Sequence, residues 1–252
     1  MSFRSRTRTA GIFYVPGFPR GVKWLLISNV AIFILDFFAR FADLHGPIVI
    51  LFALTPEAVV KNFAIWQLAT YMFLHGGFGH ILWNMLALWM FGADLEGVWG
   101  MRRFLQFYFF CGIGAGVCVV LANFALPWGN PLIPTIGSSG AIFGILMAYA
   151  MLYPTRTILF GFLIPIQVKY FVMIVGAIAF LSSFQVNTGV SEFAHLGGLL
   201  FGYLFLKAPK NMQFDLAGPV RRQYSDWKLR RAKKKFQVYL RKQGPGRDPR
   251  VH

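Results

Sequence analysis

Residues 135–153 read TIGSSGAIFGILMAYAMLY, in which a start rich in glycine and serine leads into a long apolar run. The apolar part has the length of a short membrane-spanning helix. Gly137, Gly140 and Gly144 recur at steps of three and four, and small residues at that spacing let a second helix approach closely within a membrane. The stretch therefore predicts a closely packed membrane helix that begins with two serines.

The composition of the whole chain also indicates a membrane protein. Of its 252 residues, 56% are hydrophobic and 13% are charged, whereas soluble domains average about 45–50% and about 25%. The length leaves room for five or six spans and too little for a second folded domain beside them. We therefore predict an all-α polytopic membrane protein with one membrane domain.

Six apolar segments are candidates for membrane spans. They cover residues 22–41, 79–97, 104–125, 138–153, 170–184 and 192–206. The sequence TILFGFLIP before the fifth segment offers an earlier start for that helix. The last three segments are shorter than about 20 residues, so we expect local thinning of the bilayer or helix ends buried within the protein.

The placement of lysine and arginine orients these spans. With the N-terminus in the cytoplasm, every basic residue except Arg40 and Lys61 falls on the cytoplasmic side, where such residues are enriched in membrane proteins. The resulting topology has six transmembrane helices and both termini in the cytoplasm. Residues 1–21 form a basic tail, residues 22–206 the membrane domain and residues 207–252 a second basic tail.

The second tail holds more than half of the basic residues and dominates the net charge of +16. Residues 219–242 have apolar side chains at steps of three and four, the pattern of an amphipathic helix, and we expect disorder beyond them. Such a helix suits anionic lipid at the cytoplasmic surface, as does the basic N-terminal tail. No nucleic-acid-binding motif accompanies the charge, so we expect no nucleic acid partner.

Polar side chains on three different spans lie at about the same depth, near the outer face. His80 and Asn84 are four apart on the second span and face the same way. Ser138 and Ser139 open the fourth span, and His195 opens the sixth. Because polar groups are costly in a membrane, each is either a packing hydrogen bond or a functional group.

Stripes of small residues allow two of these helices to pack closely against each other. His195, Gly198 and Gly202 follow the same spacing as the glycines of the fourth span. Packing one stripe against the other would bring His195 near the serines. A serine hydroxyl within reach of an imidazole is the minimum unit of nucleophilic catalysis, although helix geometry alone does not choose between the two serines.

At these residues the chain resembles the rhomboid family of intramembrane serine proteases, and the resemblance covers residues 22–206. HILWN (80–84) is similar to the family's H-x-x-x-N, GSSG (137–140) to its G-x-S-G, and AHLGGLLFG (194–202) to its A-H-x-x-G-x-x-x-G. The three motifs occur in the family's order, on the second, fourth and sixth spans. The resemblance implies a rhomboid-like bundle of six transmembrane helices.

The resemblance also implies a role for each polar residue. Ser139 would be the nucleophile and His195 the general base, a dyad without a carboxylate. His80, Asn84 and the backbone N–H of Ser139 would form the oxyanion hole, to which Ser138 adds at most its own backbone N–H. The implied reaction is hydrolysis of a peptide bond within or beside a transmembrane helix of a substrate protein, with no metal and no organic cofactor.

Supporting residues and a location follow from the same resemblance. The supporting residues are Gly137, Gly140, Phe143, Gly198 and Gly202. Phe143 stands where some members have tyrosine, and its ring could stack on the histidine. The implied location is the plasma (cell inner) membrane, as a multi-pass protein whose active site opens toward the non-cytoplasmic side.

The chain departs from the family pattern or adds to it at two further positions. Many members have Trp-Arg in the first loop, whereas Trp66 is followed here by Gln67, which bears on the packing of that loop. Glu192 lies three residues before His195 and could orient the imidazole as a third member. The family functions without such a carboxylate, so the resemblance itself implies a dyad.

Other functional classes fit the residues less well. A catalytically inactive rhomboid relative that binds and escorts membrane proteins would have lost the serine or the histidine, and both are present. The H-E-x-x-H motif of metalloproteases is absent, and His75 and His80 lie about 140° apart around a helix. Asp36 and Asp94 lack the sequence contexts of intramembrane aspartyl proteases, and no inverted repeat indicates a transporter.

Overall fold

The computed structural model describes residues 17–160, 163–184, 189–208 and 226–233. The chain divides into two units, one that ends at Lys207 and one that begins at Ala208. Residues 226–233 of the second unit form a helix within the predicted amphipathic segment. The rest of that segment, and most of the predicted N-terminal tail, lie outside the described residues.

Ten α-helices are present in the described part of the first unit. They are α1 (Arg20–Phe41), α2 (His45–Phe52), α3 (Pro56–Lys61), α4 (Gln67–Thr70), α5 (Phe78–Ala87), α6 (Ala93–Trp99), α7 (Met101–Ala125), α8 (Ser139–Leu152), α9 (Val168–Ser182) and α10 (Gly189–Lys207). A π-helical turn over Leu88–Gly92 joins α5 to α6, so these two run on as one helix. Each of the six predicted segments therefore coincides with a helix or with this joined pair.

Two of the described helices, α1 and α7, combine the length and the hydropathy that a bilayer crossing requires. The apolar helices α8 and α9 are shorter, with 14 and 15 residues. The whole fold is mainly helical, as the sequence predicts for a membrane protein.

One segment differs from the all-α prediction. Strands β1 (Thr157–Phe160) and β2 (Ile164–Gln167) pair as an antiparallel hairpin, with Thr157 opposite Gln167. The prediction that TILFGFLIP could begin the fifth helix is therefore wrong, and α9 begins at Val168. The β-branched residues of this segment favour a strand, and Pro165 has no N–H to donate within a helix.

Helix α7 forms the centre of the bundle and packs against both α8 and α10. The side chains on its inner face are fully buried and recur at helical spacing. They are Phe104, Phe107, Tyr108, Cys111 and Ala115. Because this face is apolar along its length, α7 supplies the surface on which α8 and α10 are held together.

The two glycine stripes lie in direct backbone contact. A Cβ atom added to Gly198 would overlap the carbonyl oxygen of Gly140, and one added to Gly202 would lie 2.8 Å from the carbonyl oxygen of Gly144. Helices α8 and α10 therefore run parallel with their backbones touching, which only glycine at these positions allows. The contact brings the first turns of the two helices to the same end of the bundle.

The loop before α8 is fixed by backbone hydrogen bonds to the region between α2 and α5. Leu54 and Thr135 exchange N–H···O bonds of 3.0 and 2.9 Å, and the N–H of Gly137 donates to the carbonyl oxygen of Tyr71 at 2.9 Å. The buried Tyr71 hydroxyl in turn donates to the carbonyl oxygen of Gly112 on α7 at 2.8 Å. The start of α8 is therefore anchored to the central helix.

The side chain of Gln67 stabilises the first loop through hydrogen bonds to its backbone. This side chain is buried, its Oε1 accepts from the N–H of Thr55 at 3.0 Å, and its Nε2 donates to the carbonyl oxygen of Ile50 at 2.9 Å. The neighbouring Trp66 donates from Nε1 to the carbonyl oxygen of Leu51 at 2.8 Å. The residue that departs from the family pattern thus pairs with backbone groups of Ile50 and Thr55.

Carboxylates hold the opposite end of the bundle. Glu96 accepts from the N–H groups of Gly21 and Val22 at 2.8 and 2.7 Å, so it caps the N-terminus of α1. Asp94 pairs with Arg156, which follows α8, at 2.7 Å. These contacts join α1, α6 and the end of α8 on the side away from the first turns of α8 and α10.

The backbone contact between α8 and α10 predicts that a methyl group added at this contact destabilises the protein. In Gly198→Ala, the new Cβ meets the carbonyl oxygen of Gly140, and the helices must separate. We expect the free energy of unfolding to fall by about 1–3 kcal/mol, measured by denaturant titration in detergent micelles.

Gly97→Ala provides the matched control. A Cβ at Gly97 meets no heavy atom within 4 Å, so the same substitution should leave the stability unchanged or raise it slightly. Equal stability of the two variants would contradict the backbone contact.

Candidate active site

Ser139 and His195 meet where α8 and α10 begin. Ser139 is the first residue of α8, and its Oγ lies 2.9 Å from His195 Nε2. Both side chains are partly buried. The Ser139 hydroxyl can donate to Nε2 when that nitrogen is unprotonated, which is the arrangement that a general base requires.

Phe143 supports the imidazole from the side. Its ring stacks on that of His195, with centroids 4.3 Å apart and planes 9° from parallel. Phe143 is one helical turn beyond Ser139, so α8 supplies both the hydroxyl and the ring that flanks the imidazole. The absence of a phenol hydroxyl at this position leaves the stacking contact intact.

The two adjacent serines have different surroundings. Ser138 is the N-cap residue of α8 and is fully buried, with its Oγ 3.5 Å from His75 Nε2. Burial lowers the pKa of His75 to about 4, and the neighbouring His80 lowers it as well. His75 is therefore neutral at neutral pH and packs with Ser138 in the interior. Nothing in the sequence signals this contact, because the two residues are 63 positions apart in the chain.

His80 lies against the glycine that precedes the serines. A Cβ on Gly137 would come within 2.6 Å of His80 Nε2, and Gly137 has a φ of +117° that favours glycine. The N–H of Gly76 donates to His80 Nδ1 over a long 3.4 Å. When Nδ1 accepts this bond, Nε2 carries the proton and can donate beside the start of α8.

Asn84 is buried on the same helix but makes a different contact. Its Nδ2 donates to the carbonyl oxygen of His80 at 3.0 Å, one turn back. Within the described ranges, no hydrogen bond joins Asn84 to Ser139 or His195. One of its two amide N–H groups is used in this bond, and the other is left for a further acceptor.

Backbone donors cluster at the same point. The first N–H groups of a helix have no carbonyl partner within that helix. In α8 the N–H of Ile142 donates to the carbonyl oxygen of Ser138 at 3.1 Å, and the N–H groups of Ser138 and Ser139 lie before this bond. They carry the partial positive charge of the helix N-terminus. An anion beside Ser139 Oγ would therefore meet a favourable potential.

Comparison with known proteins identifies the domain that contains these residues. Residues 62–208 match the Rhomboid domain, which is more than half of the chain. The chain belongs to the rhomboid family. The resemblance read from the three motifs is thereby confirmed, and the chain is an integral membrane protein.

Several rhomboid relatives are similar over the same region. The rhomboid homologue YdcA of Bacillus subtilis is 34% identical over 148 residues, which cover 58% of this chain and 67% of YdcA. Rhomboid protease GluP of the same organism is 36% identical over 138 residues, 55% of this chain and 25% of GluP. Rhomboid protein 1, mitochondrial, of Saccharomyces cerevisiae is 32% identical over 139 residues, 53% of this chain and 38% of that protein. The chain thus spans two thirds of the first relative and a quarter to two fifths of the others.

A carboxylate lies against the histidine of this rhomboid domain. Glu192 Oε2 is 2.6 Å from His195 Nδ1, the ring nitrogen opposite the one that faces Ser139. The two residues are three apart on α10 and share one face of it. The structure therefore contains an acid, an imidazole and a hydroxyl in series, where the family resemblance implies only the last two.

Proposed function

We propose that this rhomboid protein is an intramembrane serine endopeptidase that cleaves peptide bonds within or beside transmembrane helices of membrane-protein substrates. The observation that carries the proposal is the 2.9 Å contact between Ser139 Oγ and His195 Nε2. The protease names of related proteins such as GluP support it. No metal and no organic cofactor takes part in the proposed reaction.

In the acylation step, Ser139 Oγ attacks the carbonyl carbon of the scissile peptide bond. Its proton passes to His195 Nε2, and the carbonyl electron pair moves onto oxygen. When the tetrahedral intermediate collapses, the C–N bond breaks, and His195 returns the proton to the departing amine nitrogen. The substrate's N-terminal part is then held as an ester on Ser139.

Deacylation repeats the sequence with water as the nucleophile. His195 takes a proton from water, the hydroxide attacks the ester carbon, and the C–O bond to Ser139 breaks. The proton returns to Ser139 Oγ, which regenerates the free enzyme and releases a carboxylic acid. The partial burial of both side chains favours this chemistry, because polar contacts are stronger where water is partly excluded.

The proposed oxyanion hole draws on donors beside Ser139. His80 Nε2, the side-chain amide of Asn84 and the backbone N–H groups of Ser139 and Ser138 would stabilise the charge on the carbonyl oxygen. The approach of His80 to Gly137 and the position of the α8 N-terminus support this assignment. Removal of one such donor typically costs about 10²–10³ in kcat.

We place the site toward the non-cytoplasmic face of a plasma (cell inner) membrane. Six spans with both termini in the cytoplasm put Arg156, Lys169 and Lys207 on the cytoplasmic side, away from the first turns of α8 and α10. Residues 22–206 would form the protease domain. The basic tails on either side of it, residues 1–21 and 207–252, would contact anionic lipid.

The proposed dyad predicts which substitutions abolish cleavage. With purified protein in liposomes and a single-span substrate, Ser139→Ala and His195→Ala should each reduce kcat at least 10³-fold, because the nucleophile or its base is lost. Cleavage is measured by gel or mass spectrometry of the products, and circular dichroism verifies that the variants are folded.

Ser138→Ala is the matched control for the nucleophile. It removes the neighbouring hydroxyl but keeps the backbone N–H, so its loss of activity should be far smaller than that of Ser139→Ala. Cleavage that persists in Ser139→Ala would contradict the proposed function. A folded wild type that binds single-span proteins without cleaving any of them would favour an escort role instead.

The proposed oxyanion hole predicts that a substitution at Gly137 lowers the rate of cleavage. In Gly137→Ala, the added Cβ would displace the His80 ring, so we expect kcat to fall about 10²–10³-fold with little change in KM. Gly77→Ala is the control, because a Cβ there meets nothing within 4 Å and its φ of −175° is ordinary extended backbone. Equal activity of the two variants would remove His80 from the proposed hole.

A further inference from the structure

Glu192 and His195 form a contact whose geometry goes beyond helix packing. The 2.6 Å separation between Oε2 and Nδ1 is short, as in hydrogen bonds to ionised groups. Both side chains are about three-quarters buried, with 27% of Glu192 and 23% of His195 exposed. An ionised carboxylate can only accept a hydrogen bond, so opposite it Nδ1 carries a proton and donates a hydrogen bond to Glu192 Oε2.

This tautomer determines what the opposite nitrogen can do. A neutral imidazole that is protonated at Nδ1 has its lone pair on Nε2, the atom that faces Ser139 Oγ at 2.9 Å. Without an acceptor at Nδ1, the ring could also carry its proton on Nε2, a form that cannot deprotonate Ser139. The carboxylate therefore selects the form of the base that the reaction needs.

The ring is also held in orientation from two directions. Phe143 stacks on its face and prevents tilting, while Glu192 holds its edge and opposes rotation within the ring plane. Stacking alone leaves that rotation free. The two contacts together fix the line from Nδ1 to Nε2 toward Ser139.

A simpler explanation for Glu192 is that it stabilises the start of α10, but this explanation does not account for its contact with His195. Glu192 lies in the first turn of α10, where a negative charge is favourable to the helix dipole. Glu57 occupies the same kind of position in α3, with 30% of its side chain exposed, and it pairs with Lys61. The two glutamates differ in that Glu192 contacts the proposed general base.

Few other titratable groups face this part of the described structure. His80 approaches from α5, Cys118 on α7 lies beside Gly197, and the Tyr71 hydroxyl lies beside Gly140 on α8. The described residues of α9 bring no charged side chain to the imidazole. None of these neighbours is an anion that could replace Glu192 at Nδ1.

We infer that Glu192 is a positioning residue that makes the site an acid–histidine–serine series, in which the carboxylate fixes the tautomer and the orientation of His195. This role rests on the proposed protease function. It requires that Glu192 act on catalysis through His195, without contact to the substrate. The effect must therefore appear in kcat and in the protonation pattern of the ring, and KM should stay nearly constant.

The test compares Glu192→Gln and Glu192→Ala with Glu57→Gln in the full chain reconstituted in liposomes. General-base catalysis contributes about 10²–10⁴-fold, and a misoriented base loses part of it. We expect kcat to fall about 10-fold in Glu192→Gln, which keeps a neutral acceptor, and about 100-fold in Glu192→Ala, with KM within about twofold. Glu57→Gln should retain the wild-type kcat.

A second readout does not depend on cleavage. In ¹⁵N NMR of protein labelled at histidine, the His195 signals are assigned by their loss in His195→Ala. We expect protonation at Nδ1 in the wild type and in Glu192→Gln, and a mixture of tautomers in Glu192→Ala. If Glu192→Ala does not fold, the kcat of Glu192→Gln and the wild-type tautomer decide the question.

The outcomes separate this role from the proposed function. A kcat of Glu192→Ala equal to that of Glu57→Gln, or a His195 ring protonated at Nε2 in the wild type, would overturn the positioning role and leave the dyad standing. Cleavage that persists in Ser139→Ala would overturn the protease function, whereas the NMR result would still report whether Glu192 fixes the ring.

Discussion

The contact between the backbones of α8 and α10 is the constraint on which the rest of the site depends. Gly140 against Gly198 and Gly144 against Gly202 leave no room for a side chain between the helices. Because the helices are parallel, this contact brings their first turns together, and with them Ser139 and His195. A hydroxyl and an imidazole that are 56 residues apart in sequence thus meet through packing of small residues.

The surrounding structure holds this pair at the start of α8 and at the imidazole ring. The loop before α8 is hydrogen-bonded to residues 54 and 71, and Tyr71 is hydrogen-bonded to α7, so the start of α8 cannot move independently of the core. Phe143 and Glu192 hold two different sides of the imidazole. In a membrane, where unpaired polar groups are costly, the hydrogen bonds of Ser139, His195 and Glu192 are compatible with partial burial, and the same contacts orient the imidazole.

Much of the fold was predictable because membrane helices leave a strong signal in sequence. Apolar run length located all six segments, and glycine spacing indicated which helices touch. The sequence does not predict the hairpin over β1 and β2, because a short apolar segment does not distinguish a strand from a helix. The Ser138–His75 contact and the bracing by Gln67 depend on loops that meet only in the folded chain. The short Glu192–His195 contact was foreseeable from a spacing of three on one helix, but the spacing does not fix the rotamer.

We propose that His195 activates Ser139 as a nucleophile. Treatment of the folded protein with a fluorophosphonate, followed by mass spectrometry of the peptides, tests this activation without a substrate. We expect a single adduct on Ser139 in the wild type and none in His195→Ala. An adduct on Ser138, equal labelling of the folded His195→Ala variant, or no labelling of the folded wild type would contradict it.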